Sequence, residues 1–97
     1  MSFVIDPSHP SLPGHFPGAP VVPGVLVLEQ VFAAIEAAHG PLGAIRLPQV
    51  KFVQPLLPGE QADVELAEVA IEGEAPRWRF RVLRGDALIA SGEVASA

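Results

Sequence analysis

The chain has 97 residues, no cysteine, 49% hydrophobic and 18% charged residues, and a formal net charge of −5. Its length allows one domain, 1–97. Its acidic balance argues against nucleic-acid binding, and the lack of cysteine excludes disulfides, thiolate metal ligands and a thiol nucleophile.

Ser2-Phe3-Val4-Ile5 predicts a short strand. Residues 6–23 form a loop in which six prolines fall between 7 and 23. Proline fixes φ and glycine opens conformations that other residues avoid, so such a loop holds a side chain in place at low entropic cost. Gly24 to His39 predicts a helix that begins after Pro23 and stops at Gly40-Pro41. Only Glu29, Gln30, Glu36 and His39 are polar in it, which predicts a helix buried on most sides. At ~1.5 Å per residue it runs about 24 Å, enough to lie across a curled sheet.

Beyond the helix the apolar period becomes two. Strands are expected over Arg46–Leu57, Gln61–Ile71, Pro76–Arg84 and Ala87–Ala95, with turns at Leu56–Glu60, Glu72–Glu74 and Arg84–Asp86. In the third of these, Arg77, Arg79 and Arg81 alternate with Trp78, Phe80 and Val82. Consecutive strands joined by short turns make an antiparallel sheet. With a single apolar helix, the expected class is α+β, about five strands wrapped around that helix. A chain this short buries only about 60–65% of its unfolded surface, so the apolar excess favours a homo-oligomer. No apolar run approaches the ~20 residues that cross a bilayer. Residues 1–20 have no basic start and no secretory signal is readable, which makes the cytoplasm the expected compartment.

Chemistry concentrates in Gly14-His15-Phe16-Pro17-Gly18-Ala19-Pro20-Val21-Val22-Pro23-Gly24-Val25-Leu26-Val27-Leu28-Glu29. His15 lies in the stiff loop, flanked by glycines that let a ligand approach, and an imidazole exchanges protons near neutrality. Alone, such a histidine is most often a turn residue. Glu29 lies inside the apolar run, where desolvation would raise its pKa and keep a proton available for a leaving hydroxyl. A solvated stripe shared with Glu36 is the plain alternative. Gly24 opens the helix, where free N–H groups and the positive dipole end suit an oxyanion. His9, His15 and His39 lack metal-ligand spacing, and no His-Glu-x-x-His occurs, so no metal is expected.

This stretch resembles the signature of the β-hydroxyacyl-acyl carrier protein dehydratases of the hotdog fold (FabZ/FabA type), Gly-His-Phe-x-Gly-x-Pro-x-x-Pro-Gly-x-Leu-x-Leu-Glu/Asp. Val50-Lys51-Phe52-x-x-Pro55-x-x-Pro58-Gly59-Glu60 matches a second family pattern and extends the resemblance to about 1–95. The resemblance implies a hotdog fold and cofactor-free dehydration of a (3R)-3-hydroxyacyl thioester, on acyl carrier protein or coenzyme A, to the trans-2-enoyl thioester. It implies that His15 removes the C2 proton, with its tautomer set by the backbone carbonyl of Val21. Glu29 serves as the acid facing His15 of the partner in a homodimer or dimer-based oligomer, and Gly24 N–H polarises the thioester carbonyl. Substrate contacts are expected from Phe16, Pro23, Val25 and Phe52.

Three departures stand out. Ala33 replaces the glutamine found four residues after the acid, with Gln30 as its neighbour. The N-terminal helix and strand that flank the acyl tunnel in typical members are expected to be missing. The acid is Glu rather than Asp, which points to the dehydrase-only type. Arg77, Arg79 and Arg81 form a basic stripe in an acidic chain, a landing site for an acidic carrier protein or equally a solvated sheet face. The alternatives are a hotdog thioesterase in which Glu29 activates water, and a non-catalytic acyl-binding partner subunit.

Overall fold

A computed structural model describes residues 1–9 and 21–96. Its elements are β1 (Ser2–Val4), α1 (Gly24–His39), β2 (Ile45–Phe52), β3 (Gln61–Val69), β4 (Arg77–Arg84) and β5 (Ala87–Ser96). They form one five-stranded sheet in the order β1-β3-β4-β5-β2, with every neighbouring pair antiparallel. The alternation along β4 does what period two requires. Trp78, Phe80 and Val82 are buried beneath the helix, while Arg79 and Arg81 stand on the opposite, outer face.

Helix α1 has the bounds its sequence predicts. Pro23 precedes it with φ −59° and ψ 143°, and Gly40 ends it at φ +89°, its N–H donating to the Glu36 carbonyl at 2.8 Å. Leu26, Val27, Val31, Ala34 and Ile35 press onto the sheet and join Phe80, Val82 and Val94 in the core. Full burial of side chains such as Ile35 or Val31 stabilises the fold by roughly 1.5–3 kcal/mol each. At its C-terminal end the His39 ring lies 5.1 Å from the Trp78 ring, which seats α1 on β4.

Two expectations need correction. The helix is not buried on most sides: Val25, Glu29, Ala33, Glu36 and Ala37 form an exposed outward stripe. One sheet of this size covers one helix face, so the described residues leave the remaining apolar positions uncovered. Nor are all consecutive strands neighbours. β2 ends at Phe52 rather than Leu57 and pairs with β5, at the far edge of the sheet from β1. Pro55 and Pro58 cannot donate to a ladder, and the N–H groups of Val53 and Gln54 both turn to the Ile89 carbonyl, at 2.8 and 3.3 Å. The chain therefore leaves the sheet at Phe52 and crosses to β3.

Pro48 sits within β2, and the register slips between Arg46 and Gln49. That irregularity brings Gln49 against Gly92 of β5, where an added Cβ would lie 2.1 Å from the Gln49 carbonyl oxygen. Only glycine permits this approach. Among the described residues no helix is long and apolar enough to cross a membrane.

Candidate active site

The start of α1 opens onto a groove of ≈ 370 Å³ lined by Val21, Gly24, Val27, Phe52, Val53 and Leu56, among others. The N–H groups of Leu26 and Val27 turn back to the Pro23 carbonyl, at 3.0 and 3.4 Å. The N–H groups of Gly24 and Val25 come before any intrahelical acceptor, as at every helix start. A carbonyl oxygen in the groove would meet these donors and the positive end of the helix dipole.

Phe52, 54% exposed, covers Gly24: an added Cβ there would lie 2.6 Å from the tip of its ring. Phe52 pairs with Ala90 at the end of β2, so its position is set by the β2–β5 ladder. Val21, Gly24 and Phe52, assigned from sequence to the oxyanion and substrate contacts, are thus brought together. Pro23 stands beside them, half-buried, as the residue before the helix. Val25 points outward, 61% exposed.

Glu29 is exposed, without apolar cover from the described residues. Five positions along a helix correspond to a rotation of about 140°, so Glu29 and Gly24 face different sides of α1. Glu29 shares the outward stripe with Val25, four residues earlier. His15 and Phe16 lie outside the described residues, as do Gly14 and Gly18. Among the described residues no cluster of three or more His, Cys, Asp or Glu is placed to hold a metal ion.

The arginine stripe lies across the sheet from α1. Cross-strand pairing sets Arg81 beside Glu65 and Ser91, with Lys51 beyond Ser91, and Arg79 beside Ala67 and Glu93, with Gln49 beyond Glu93. These positions rim a shallow depression of ≈ 520 Å³. The arginines carry partners: Arg81 reaches Glu65 at 2.6 Å, Arg79 reaches Glu93 at 3.8 Å, and Arg77 lies 3.4 Å from Glu74 and 3.9 Å from Glu93. The Arg81–Glu65 pair is exposed on both sides and contributes about 0–1 kcal/mol, whereas Glu93 is largely covered.

Arg84, read from sequence only as a turn residue closing the basic stretch, has a bonding role that the sequence reading missed. Arg84 Nη1 donates to Glu60 Oε1 at 3.0 Å and to the Pro55 carbonyl at 3.2 Å. Its sequence signal is a break in alternation: the basic residues run 77, 79, 81 and then 84, and the β4–β5 register shifts between Val82 and Leu83.

A family profile described as ApeI-like, ApeI dehydratase, matches residues 1–93. The 3-hydroxyacyl-[acyl-carrier-protein] dehydratase FabZ of Desulforamulus reducens is 34% identical over 98 residues, covering 93% of this chain and 69% of the relative. FabZ of Magnetococcus marinus is 33% identical over 98 residues, covering 91% of this chain and 60% of the relative. The chain thus spans about 60–70% of the length of these relatives. Among solved structures, the dehydratase heterocomplex ApeI:P from Xenorhabdus doucetiae aligns with a TM-score of 0.69 at 24% identity, over 97% of this chain and 81% of that one. The fluoroacetyl-CoA thioesterase FlK aligns with a TM-score of 0.66 at 24% identity, over 98% and 81%. At these identities the structural likenesses establish the fold, and that fold is the hotdog.

Proposed function

The chain belongs to the ApeI-like dehydratase family, and on that premise we propose that it removes water from a (3R)-3-hydroxyacyl thioester to give the trans-2-enoyl thioester. The observation that carries this reading is the apolar groove at the start of α1, where Gly24 brings backbone donors to the surface without a side chain of its own. A thioester carbonyl seated there is polarised, and the enolate that forms when C2 loses its proton is stabilised. His15 takes that proton. The C3–O bond then breaks, and the leaving hydroxyl departs as water with a proton from Glu29. No electrons leave the substrate, so the chemistry asks for no redox group.

Glu29 and Gly24 face different sides of one helix, which supports a site shared between two subunits. In this reading the outward stripe of α1 and the β2 edge form the interface, and Glu29 meets His15 of the partner subunit. Such an interface would bury well over ~1,200 Å² in total and would give Glu29 the desolvated surroundings that an acid requires. The thioester is carried on acyl carrier protein or coenzyme A, and the protein-bound form lands on the face bearing Arg77, Arg79 and Arg81.

The test is turnover of a 3-hydroxyacyl thioester with enoyl absorbance and free thiol followed together. Enoyl product without thiol release is the expected result. Thiol release without enoyl product would make the chain a thioesterase, and neither signal would make it a non-catalytic acyl-binding subunit.

A further inference from the structure

The segment 53–60 has no regular secondary structure, yet it is tied down at every turn. Val53 and Gln54 donate to the Ile89 carbonyl, and Gly59 N–H donates to the Ile5 carbonyl at 2.9 Å. Glu60 N–H donates to the Leu57 carbonyl at 3.1 Å, and Leu57 N–H donates to Glu60 Oε1 at 2.8 Å. Arg84, at the end of β4, closes the set through its Nη1 bonds to Glu60 Oε1 and the Pro55 carbonyl. Both side chains are about one-third exposed, and a charge-assisted bond in such surroundings is worth more than a fully solvated ion pair.

Leu56 lies between these anchors, 2% exposed, and its carbonyl accepts the Val22 N–H at 2.8 Å. Pro23 has no N–H. Among the described residues the Val22–Leu56 bond is therefore the last backbone donation before Gly24, whose N–H opens the helix. Leu56 and Gly24 also line the same groove. A path of directly bonded groups thus runs from Arg84 and Glu60 through Pro55–Leu56 to Val22, and along the rigid Pro23 to Gly24.

We propose that Arg84 and Glu60 are positioning residues for dehydration, holding Gly24 N–H in place through the Leu56 carbonyl and Val22. The proposal rests on the dehydratase reading above. An oxyanion donor acts only when it sits about 2.7–3.1 Å from the oxygen that gains charge, and a ~1 Å displacement from a remote change can lower the rate by up to ~10². Because this donor bonds most strongly in the transition state, loosening it lowers kcat and leaves KM nearly unchanged.

The test uses the full chain with Arg84→Met and Arg84→Lys, read by amide hydrogen exchange in NMR and by turnover. In Arg84→Met the Val22 amide exchanges about tenfold faster, while the ladder amides of Val82 and Ala90 keep their protection. The same variant loses about tenfold in kcat with KM changed less than about twofold, and Arg84→Lys, which keeps a charged donor, restores part of both. Unchanged Val22 exchange overturns the proposal, as does faster Val22 exchange with unchanged kcat. Absence of turnover by the wild-type chain overturns the dehydratase reading instead, and Val22 exchange then still decides whether the clamp exists. Should Arg84→Met not fold, the isosteric Glu60→Gln is read on the same two measurements.

Discussion

Glu29 stands exposed on the outward stripe of α1 within the single subunit, and glutamine keeps its shape, so the carboxylate can be replaced at little cost to the fold. Glu29→Gln should change stability by no more than ~0.5 kcal/mol while lowering dehydration by at least ~10². His15→Ala should lower it by a similar factor. Thermal unfolding beside single-turnover rates separates the two effects, and a rate loss that merely tracks a loss of folded protein would remove Glu29 from the chemistry. Asp6 offers a pH prediction. The Ser8 backbone N–H, at 2.8 Å, and then the Ser8 hydroxyl, at 2.7 Å, hold its carboxyl below the usual carboxylate range. A carboxyl lowered in the folded state supports its turn above the unfolded value and loses that support as pH falls through the folded value. The Ser8 amide resonance should therefore report a titration midpoint below that of a free aspartate; a midpoint at or above it would mean that these bonds do not persist in solution.

At the scale of elements, the informative glycines differ in kind. Gly92 has no room: a Cβ would meet the Gln49 carbonyl oxygen, a backbone atom that cannot swing aside. Gly92→Ala should cost about 3 kcal/mol or force the bulged β2 edge off β5. Gly73 has φ +79° with nothing within 4 Å of an added Cβ, so Gly73→Ala should cost only the ~1–2 kcal/mol of a left-handed residue. Urea midpoints rank the two, and equal losses would show that the β2–β5 approach relaxes freely. The same elements show what could be read in advance. Helix α1 was legible to the residue because Pro23 and Gly40 mark its ends and its apolar run is interrupted only at Glu29, Gln30 and Glu36. β4 was legible because large apolar side chains alternate with arginines. The position of β2 was not, since a hairpin and a crossover begin with the same Pro-rich segment. The difference lies in where Val53 and Gln54 send their N–H groups, and the acceptor is the Ile89 carbonyl 36 residues after Val53.

On the scale of the whole molecule, the dehydratase family was legible in residue types and their order, whereas the assembly was not. Gly24, Val21 and Phe52 converge within one chain, but Glu29 turns away from them, and sequence period alone does not say which face of a mostly apolar helix a partner covers. If two subunits share the site, mixing inactive His15→Ala with inactive Glu29→Gln should restore part of the activity, because one of the two sites in a heterodimer is then intact; no recovery under demonstrated subunit exchange would place both groups in one chain. The arginine face poses the remaining question, since Arg79 and Arg81 are already paired with Glu93 and Glu65. An exposed pair such as Arg81–Glu65, worth about 0–1 kcal/mol, is exchanged readily for a partner bearing several carboxylates, and such encounters weaken as salt screens them. Arg79→Glu removes one cation and sets a new acid beside Glu93, so it should repel an acidic carrier without touching the groove on the other side of the sheet. The expected result is a higher KM for carrier-bound 3-hydroxyacyl substrate, steepest at low ionic strength, with KM for a small pantetheine thioester unchanged. Equal shifts for both substrates, or none for either, would leave this face as a solvated ion-pair grid whose role is to keep the sheet from adding strands.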